Sequence, residues 1–128
     1  MIQFREMKEE DRPTIDNWIE KDPGHQGKMT ADFFLKPKEN WGVFVIVDDD
    51  QPIMFVAQEP DGLNLRLHVQ FPPDNLKSVV KGLIQAYPVV EANIKSRGFK
   101  AVAFESESRA LLKFMRRFGF KQEMRAQL

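Results

Sequence analysis

The sequence predicts an α/β chain: a mixed, mostly antiparallel sheet flanked by helices. Three observations carry that reading. Segments with apolar residues at every second position alternate with segments at helical spacing. Three consecutive strand-like runs are joined by turns short enough to require antiparallel pairing. A strand, a long helix and another strand then follow, the arrangement of a right-handed crossover between parallel strands. At 128 residues the chain is expected to form a single domain, residues 1–128.

In chain order, Ile2 to Met7 reads as a short strand with Ile2 and Phe4 on one face. A helix begins around Glu10-Asp11, with Pro13 in its first turn and Ile15, Trp18 and Ile19 at helical spacing. Asp22-Pro23-Gly24 stops it. Met29 to Leu35 suggests a second short helix. Trp41 to Val47 and Pro52 to Ala57 are β-rich runs joined by Asp48-Asp49-Asp50-Gln51, a hairpin signal. After the turn at Asp61-Gly62, Leu63 to Phe71 alternates cleanly. Leu63, Leu65, Leu67, Val69 and Phe71 take one face; Asn64, Arg66, His68 and Gln70 take the other.

Asp74 then caps a predicted helix with Leu76, Val79, Val80, Leu83 and Tyr87 inward. Pro88 is expected to kink or split it, because it lacks a donor and crowds the preceding turn. The pattern resumes through Val90 and Ile94 and stops at Arg97-Gly98. Ala101 to Phe104 is a short buried strand. Ser108 to Phe118 reads as a helix with Leu111, Phe114, Met115 and Phe118 inward, closed by Gly119. Met124, Ala126 and Leu128 alternate with Glu123, Arg125 and Gln127 as a last strand. The order is β-α-α-β-β-β-α-β-α-β.

Composition narrows the chemistry. Apolar residues make up 42% and charged residues 30%, the balance of a folded chain. With no cysteine there is no disulfide, thiolate metal site or cysteine nucleophile. No signal-like apolar stretch opens the sequence and no run is long enough to span a bilayer, so a cytoplasmic location is expected. The net charge is zero, which argues against bulk attraction to nucleic acid or membrane. The charge is unevenly spread. Met1 to Asp61 carries seven Lys/Arg against fourteen Asp/Glu, while Lys95 to Leu128 carries nine against three. Either this is a solvated surface with chance clustering, or the basic third faces an anionic ligand such as a phosphorylated cofactor.

The element order, together with the run Phe104-Glu105-Ser106-Glu107-Ser108-Arg109-Ala110-Leu111-Leu112-Lys113-Phe114-Met115-Arg116-Arg117-Phe118-Gly119-Phe120, resembles the GCN5-related N-acetyltransferase (GNAT) superfamily over nearly the whole chain. That family has a strand followed by a helix that ends in an apolar residue, Gly and Phe. The resemblance implies acetyl-coenzyme A as cofactor and direct acetyl transfer to a small-molecule or peptide amine. It also implies a cleft where the fourth and fifth strands part, with backbone near Val69 to Phe71 facing the cofactor. The pyrophosphate site would fall at Asn75, Lys77 and Ser78, and Ser108 would stand for the family's helix-leading Asn.

Two departures accompany the resemblance. Asp74 to Lys81 contains no glycine where the family's loop is glycine-rich, and Gly82 comes too late. Lys77 and Lys81 partly restore the charge. Met115 stands where many members carry a Tyr that protonates the departing thiolate. For a base, His68 is the candidate on the fourth strand, since imidazole is the side chain that ordinarily titrates near neutral pH. The other reading of His68 is a hydrogen-bonded structural histidine. His25 lies far off in a loop, and two distant histidines make no metal site. No phosphate-loop, serine-elbow or dinucleotide motif occurs.

Three functions follow: an N-acyltransferase with a divergent cofactor loop, a silent domain of that fold binding a ligand or protein, or a mainly structural or assembly role as a homodimer. The final strand leaves an edge open, and a homodimer is expected there.

Overall fold

The computed structural model describes residues 2–22, 27, 29–74, 76–104, 113–120 and 125–127. Six strands form one sheet in chain order. These are β1 (Ile2–Glu6), β2 (Gly42–Asp48), β3 (Gln51–Asp61), β4 (Asn64–Gln70), β5 (Ala101–Phe104) and β6 (Arg125–Gln127). Only β4 and β5 are parallel; every other pair is antiparallel. The helices are α1 (Arg12–Lys21), α2 (Asp32–Leu35) and α3 (Leu76–Ser96). A 3₁₀ turn at Glu9–Asp11 leads into α1, and another at Arg116–Phe118 ends at Gly119, whose φ of 93° needs a residue without Cβ. Of the predicted helix Ser108 to Phe118, residues 108–112 lie outside the described residues.

Strand alternation sends neighbouring side chains to two separate cores. Val45, Val47, Phe55 and Ala57 pack with Ile15 and Ile19 of α1 and Phe34 of α2. Ile46, Met54, Val56, Leu65 and Leu67 pack on the other face with Val79, Leu83, Tyr87, Val90 and Ile94 of α3, joined by Met115 and Phe120. Burying each such large side chain contributes about 1.5–3 kcal/mol. The alternation breaks once. Ile46 pairs with Met54 but Val47 with Pro52, so Ile53 is an extra residue in β3. Ile53 and Met54 consequently enter the same core, as a bulge requires.

The β2–β3 hairpin turns on Asp49 (φ 50°) and Asp50 (φ 68°), two left-handed residues that match the twist of the strands. The β3–β4 hairpin closes at the pair Asp61↔Asn64, with Gly62 and Leu63 as its loop. Leu63, expected on the core face, therefore sits in the turn and is 67% exposed. Val80, also expected inward, is half-buried beside Lys77, Lys81 and Ile84 on the outer side of α3. The buried stripe runs instead through Val79, Leu83, Ala86, Val90 and Ile94.

Pro88 does not divide α3, which runs through it as a single helix. It lies on the exposed side next to Val89, and Ile84, whose carbonyl loses its partner, is exposed as well. On an exposed helix side, a carbonyl freed by proline is open to solvent rather than buried without a partner. Among the described residues, no helix is long and apolar enough to cross a membrane.

Candidate active site

The register of β3 and β4 builds the site. Asp61↔Asn64 fixes Glu59 opposite Arg66 and Ala57 opposite His68. Glu59 and His68 are thus diagonal neighbours on the face covered by α1 and α2. The imidazole Nε2 lies 2.7 Å from Glu59 Oε1. Both side chains are partly exposed, His68 at 24% and Glu59 at 32%, so solvent or a small amine can reach them.

Two aromatic rings fix the imidazole. Trp41 stacks on it with centroids 5.4 Å apart and planes within 7°. Phe33 of α2 meets it edge-on at 5.0 Å. Trp41 is in turn flanked by Phe33 at 5.4 Å and by the Lys38 ammonium at 5.7 Å. One turn of helix and the residue before β2 thereby hold a titratable ring from β4. Two residues on, Gln70 is fully buried on the same face. Its Nε2 donates to Asp22 Oδ2 (3.2 Å) at the end of α1 and to the carbonyl of Phe71 (3.0 Å). That tie binds the end of β4 to the α1 side of the sheet.

The β4–β5 pairing ends at Leu67↔Phe104, while β4 runs on through His68, Val69 and Gln70, which pair with β3. On the α3 side of this stretch is an apolar cavity of about 30 Å³. Leu67, Val69, Phe71, Tyr87, Phe104 and Met115 are among its walls. Tyr87 is 3% exposed. Burial pushes its phenol up, and the Glu91 carboxylate one turn along α3 adds to the effect.

The residues singled out in the sequence are therefore divided between two faces. His68 stands on the α1 and α2 side, Val69 on the α3 side, where Phe71 also lines the cavity. Lys77 is exposed on the outer face of α3, in an open groove shared with Val80, Lys81 and Ile84. Lys81 itself pairs with Asp48 at 3.2 Å. Ser78 lies within α3; Asn75, Ser108 and His25 lie outside the described residues. Gly82, too late in sequence for a phosphate loop, serves packing: a Cβ there would come within 2.2 Å of Ile53 Cδ1. Among the described residues no cluster of three His, Asp or Glu is placed to hold a metal.

Sequence reading missed Glu59, Trp41 and Phe33. For Glu59 a signal existed, because a two-residue loop after Asp61 sets the register that brings it beside His68. The two aromatics reach His68 only through packing of α2 and the segment before β2.

No protein-family model matches the sequence, and no curated protein matches it. Solved structures do match in fold. The ribosomal-protein-S18-alanine N-acetyltransferase of Escherichia coli superposes with a TM-score of 0.70 at 14% identity, over 94% of this chain and 78% of that one. The PaiA N-acetyltransferase of Thermoplasma acidophilum, solved in complex with coenzyme A, gives 0.67 at 14% identity over 100% and 99%. A GNAT-family acetyltransferase of Staphylococcus aureus Mu50 gives 0.66 at 12% identity over 94% and 85%. Its six-stranded sheet with one parallel pair, and these superpositions at low identity, make this chain a divergent example of the GCN5-related N-acetyltransferase fold.

Proposed function

We propose that this chain is an acyl-coenzyme A-dependent N-acyltransferase that moves an acetyl group onto a small-molecule or peptide amine. The observation that carries the reading is the His68–Glu59 pair at 2.7 Å, on the part of β4 that outruns β5. An ionised carboxylate only accepts hydrogen bonds, so the imidazole donates from Nε2 and keeps its lone pair at Nδ1. An amine must shed a proton to become a nucleophile, and Nδ1 takes it directly or through a water. Trp41 and Phe33 keep the ring from turning away.

Coenzyme A would supply an activated acyl carbon as a thioester. The apolar walls around Val69 and Phe71 would meet a thioester arm entering beyond Leu67↔Phe104. Val69 and Phe71 would line that arm, and Asn75, Lys77, Ser78 and Ser108 would meet the phosphates and the acyl end. Lys77 supplies charge near the start of α3, but the glycine-free stretch Asp74 to Lys81 limits how closely main chain approaches a pyrophosphate. Weak cofactor affinity is part of the reading, as are a cytoplasmic location and a homodimer. The solved PaiA complex with coenzyme A supports the choice of donor.

A second reading, a silent ligand- or protein-binding domain, is favoured by Met115 in the cavity wall, since a thioether donates no proton. Calorimetric titration with acetyl-coenzyme A and coenzyme A separates the two. The enzyme reading expects binding in the micromolar to millimolar range. With a confirmed acceptor, His68→Ala is expected to lower turnover by on the order of a hundredfold at little cost in coenzyme A affinity. His68→Gln is expected to keep the hydrogen bond to Glu59 and lose the same turnover. Binding of neither ligand at millimolar concentration leaves the silent domain as the function. Binding with parental turnover in both variants removes His68 as the base.

A further inference from the structure

Strand alternation puts Phe4, Phe44 and Gln58 on the α3 side of the sheet, toward the end away from the Lys81–Asp48 pair. The C-terminal half of α3 passes over them with Val89, Val90 and Asn93. Between the two lies a half-open groove of about 250 Å³. Among the large apolar side chains that stand exposed in the described residues, Phe4 (40%) and Val89 (56%) both line it. Phe4 meets Phe44 edge-on, with centroids 5.7 Å apart.

One end of the groove is polar. Gln58 is 6% exposed, and its Oε1 accepts from the Arg97 guanidinium at 2.7 Å. A guanidinium only donates, so the amide is oriented: Oε1 faces Arg97, and the two N–H donors of Nε2 are left over. Among the described residues they have no acceptor. A buried donor without a partner is unfavourable, and an acceptor supplied by a ligand removes that penalty. Arg97 adds a positive charge at the same end, with its guanidinium 5.5 Å from the Phe99 ring.

We propose that this groove binds a small monocarboxylic acid with an aromatic or branched apolar body. The carboxylate accepts from Gln58 Nε2 beside the Arg97 charge, and the body lies along Phe4, Phe44, Val89 and Val90. Charge selects this occupant. Donors and a cation at one end call for an anionic acceptor, whereas aromatic and aliphatic walls call for an uncharged remainder. Glu6, exposed on the same face of β1 and opposite Phe44, opposes a second negative charge. A dicarboxylate is therefore disfavoured. His68 stands on the other face of the sheet, so this site does not depend on the acyltransferase reading.

The test uses 3-phenylpropionate and 4-methylpentanoate as probes of the whole chain, followed by amide NMR and calorimetry. Each acid is expected to bind with a Kd of about 0.1–1 mM and to shift the Gln58 side-chain amide together with Val89 and Asn93. Neutral 3-phenylpropanamide should bind about tenfold more weakly, and succinate should not bind at about 10 mM. Gln58→Glu keeps an acceptor for Arg97 but replaces the donors with negative charge. It should weaken either acid about 10- to 100-fold. Because Gln58 is buried, Val89→Glu is the companion variant. Val89 is largely exposed, so the melting temperature should hardly change while both acids lose about tenfold or more in affinity. Equal binding of 3-phenylpropionate and its amide would overturn anion recognition by Gln58. No binding of either acid at about 10 mM, or shifts confined to other residues, overturns the site. A parent dimer that Val89→Glu splits, with no shift from either acid, makes the groove an interface between two copies instead.

Discussion

Arg5 and Asp11 show how a single pair anchors the start of the chain. The guanidinium of Arg5 grips the carboxylate at 2.9 and 2.8 Å, and the Lys8 N–H donates to the same carboxylate at 2.9 Å. Asp11 is only 6% exposed, so these bonds offset its desolvation. The Arg5 hydrogen bond holds the Asp11 carboxyl below its usual range, with the Lys8 N–H bond and the Arg5 charge adding to it. A depressed folded value means stability that is full above the unfolded carboxyl range and lost as pH falls through the folded one. Asp11→Asn should therefore lose about 1–3 kcal/mol at neutral pH and a smaller amount in acid. Urea unfolding from about pH 7 down to about pH 2 reads this directly, and parallel parent and variant curves would refute it. Little of this pair was legible beforehand, because Arg5 and Asp11 lie on different elements whose meeting depends on the turn at Glu9.

At the scale of elements, α3 is the part where local rules and packing diverge. Its buried stripe through Val79, Leu83, Ala86, Val90 and Ile94 was readable from spacing. Its interior Gly82 and Pro88 are both poor helix formers. Gly82 has a packing reason, since the helix comes down on Ile53 of β3. A valine there must displace Ile53 or lift the helix, and a loss of about 1–3 kcal/mol is expected for Gly82→Val in chemical denaturation. Pro88 has no comparable contact on its exposed side. Pro88→Ala should restore a donor to the Ile84 carbonyl and stabilise the protein by about 1–3 kcal/mol, seen as a higher melting temperature. An unchanged or lower melting temperature would mean that the proline matters to the unfolded chain or to a function of the helix.

At the scale of the whole molecule, the sheet has two outer strands, β1 and β6. β6 pairs with β5 along one side, and among the described residues no strand pairs with its other side. Such an edge presents backbone donors and acceptors to any second strand. A homodimer joined through β6 is the expected state, and scattering or sedimentation should give about twice the monomer mass. Ala126→Pro, which removes a backbone donor in the middle of that strand, should shift the equilibrium to monomer if the donor faces outward. Monomer alone at high concentration for the parent would refute the dimer.

Sequence alone determined the six strands, the first three helices, their order and most of their buried faces. Those features are local: alternation assigns a strand two faces, helical spacing assigns a stripe, and Asp-rich or glycine turns mark the joints. It also singled out His68, because one imidazole on a half-polar strand is conspicuous. Only tertiary structure decided what His68 meets, since Glu59 comes from the next strand by register and Phe33 from a helix 35 residues earlier. It likewise decided that Gln70 reaches Asp22, 48 residues back, and that Tyr87 shares a cavity with Met115. The bulge at Ile53 and the exposed Leu63 belong to the same class. A periodic pattern fixes which way a side chain points relative to its own backbone. Which side chain it then meets is set by strand register and by the angle at which helices close on the sheet. Those are properties of contacts between distant parts of the chain, which no single segment encodes.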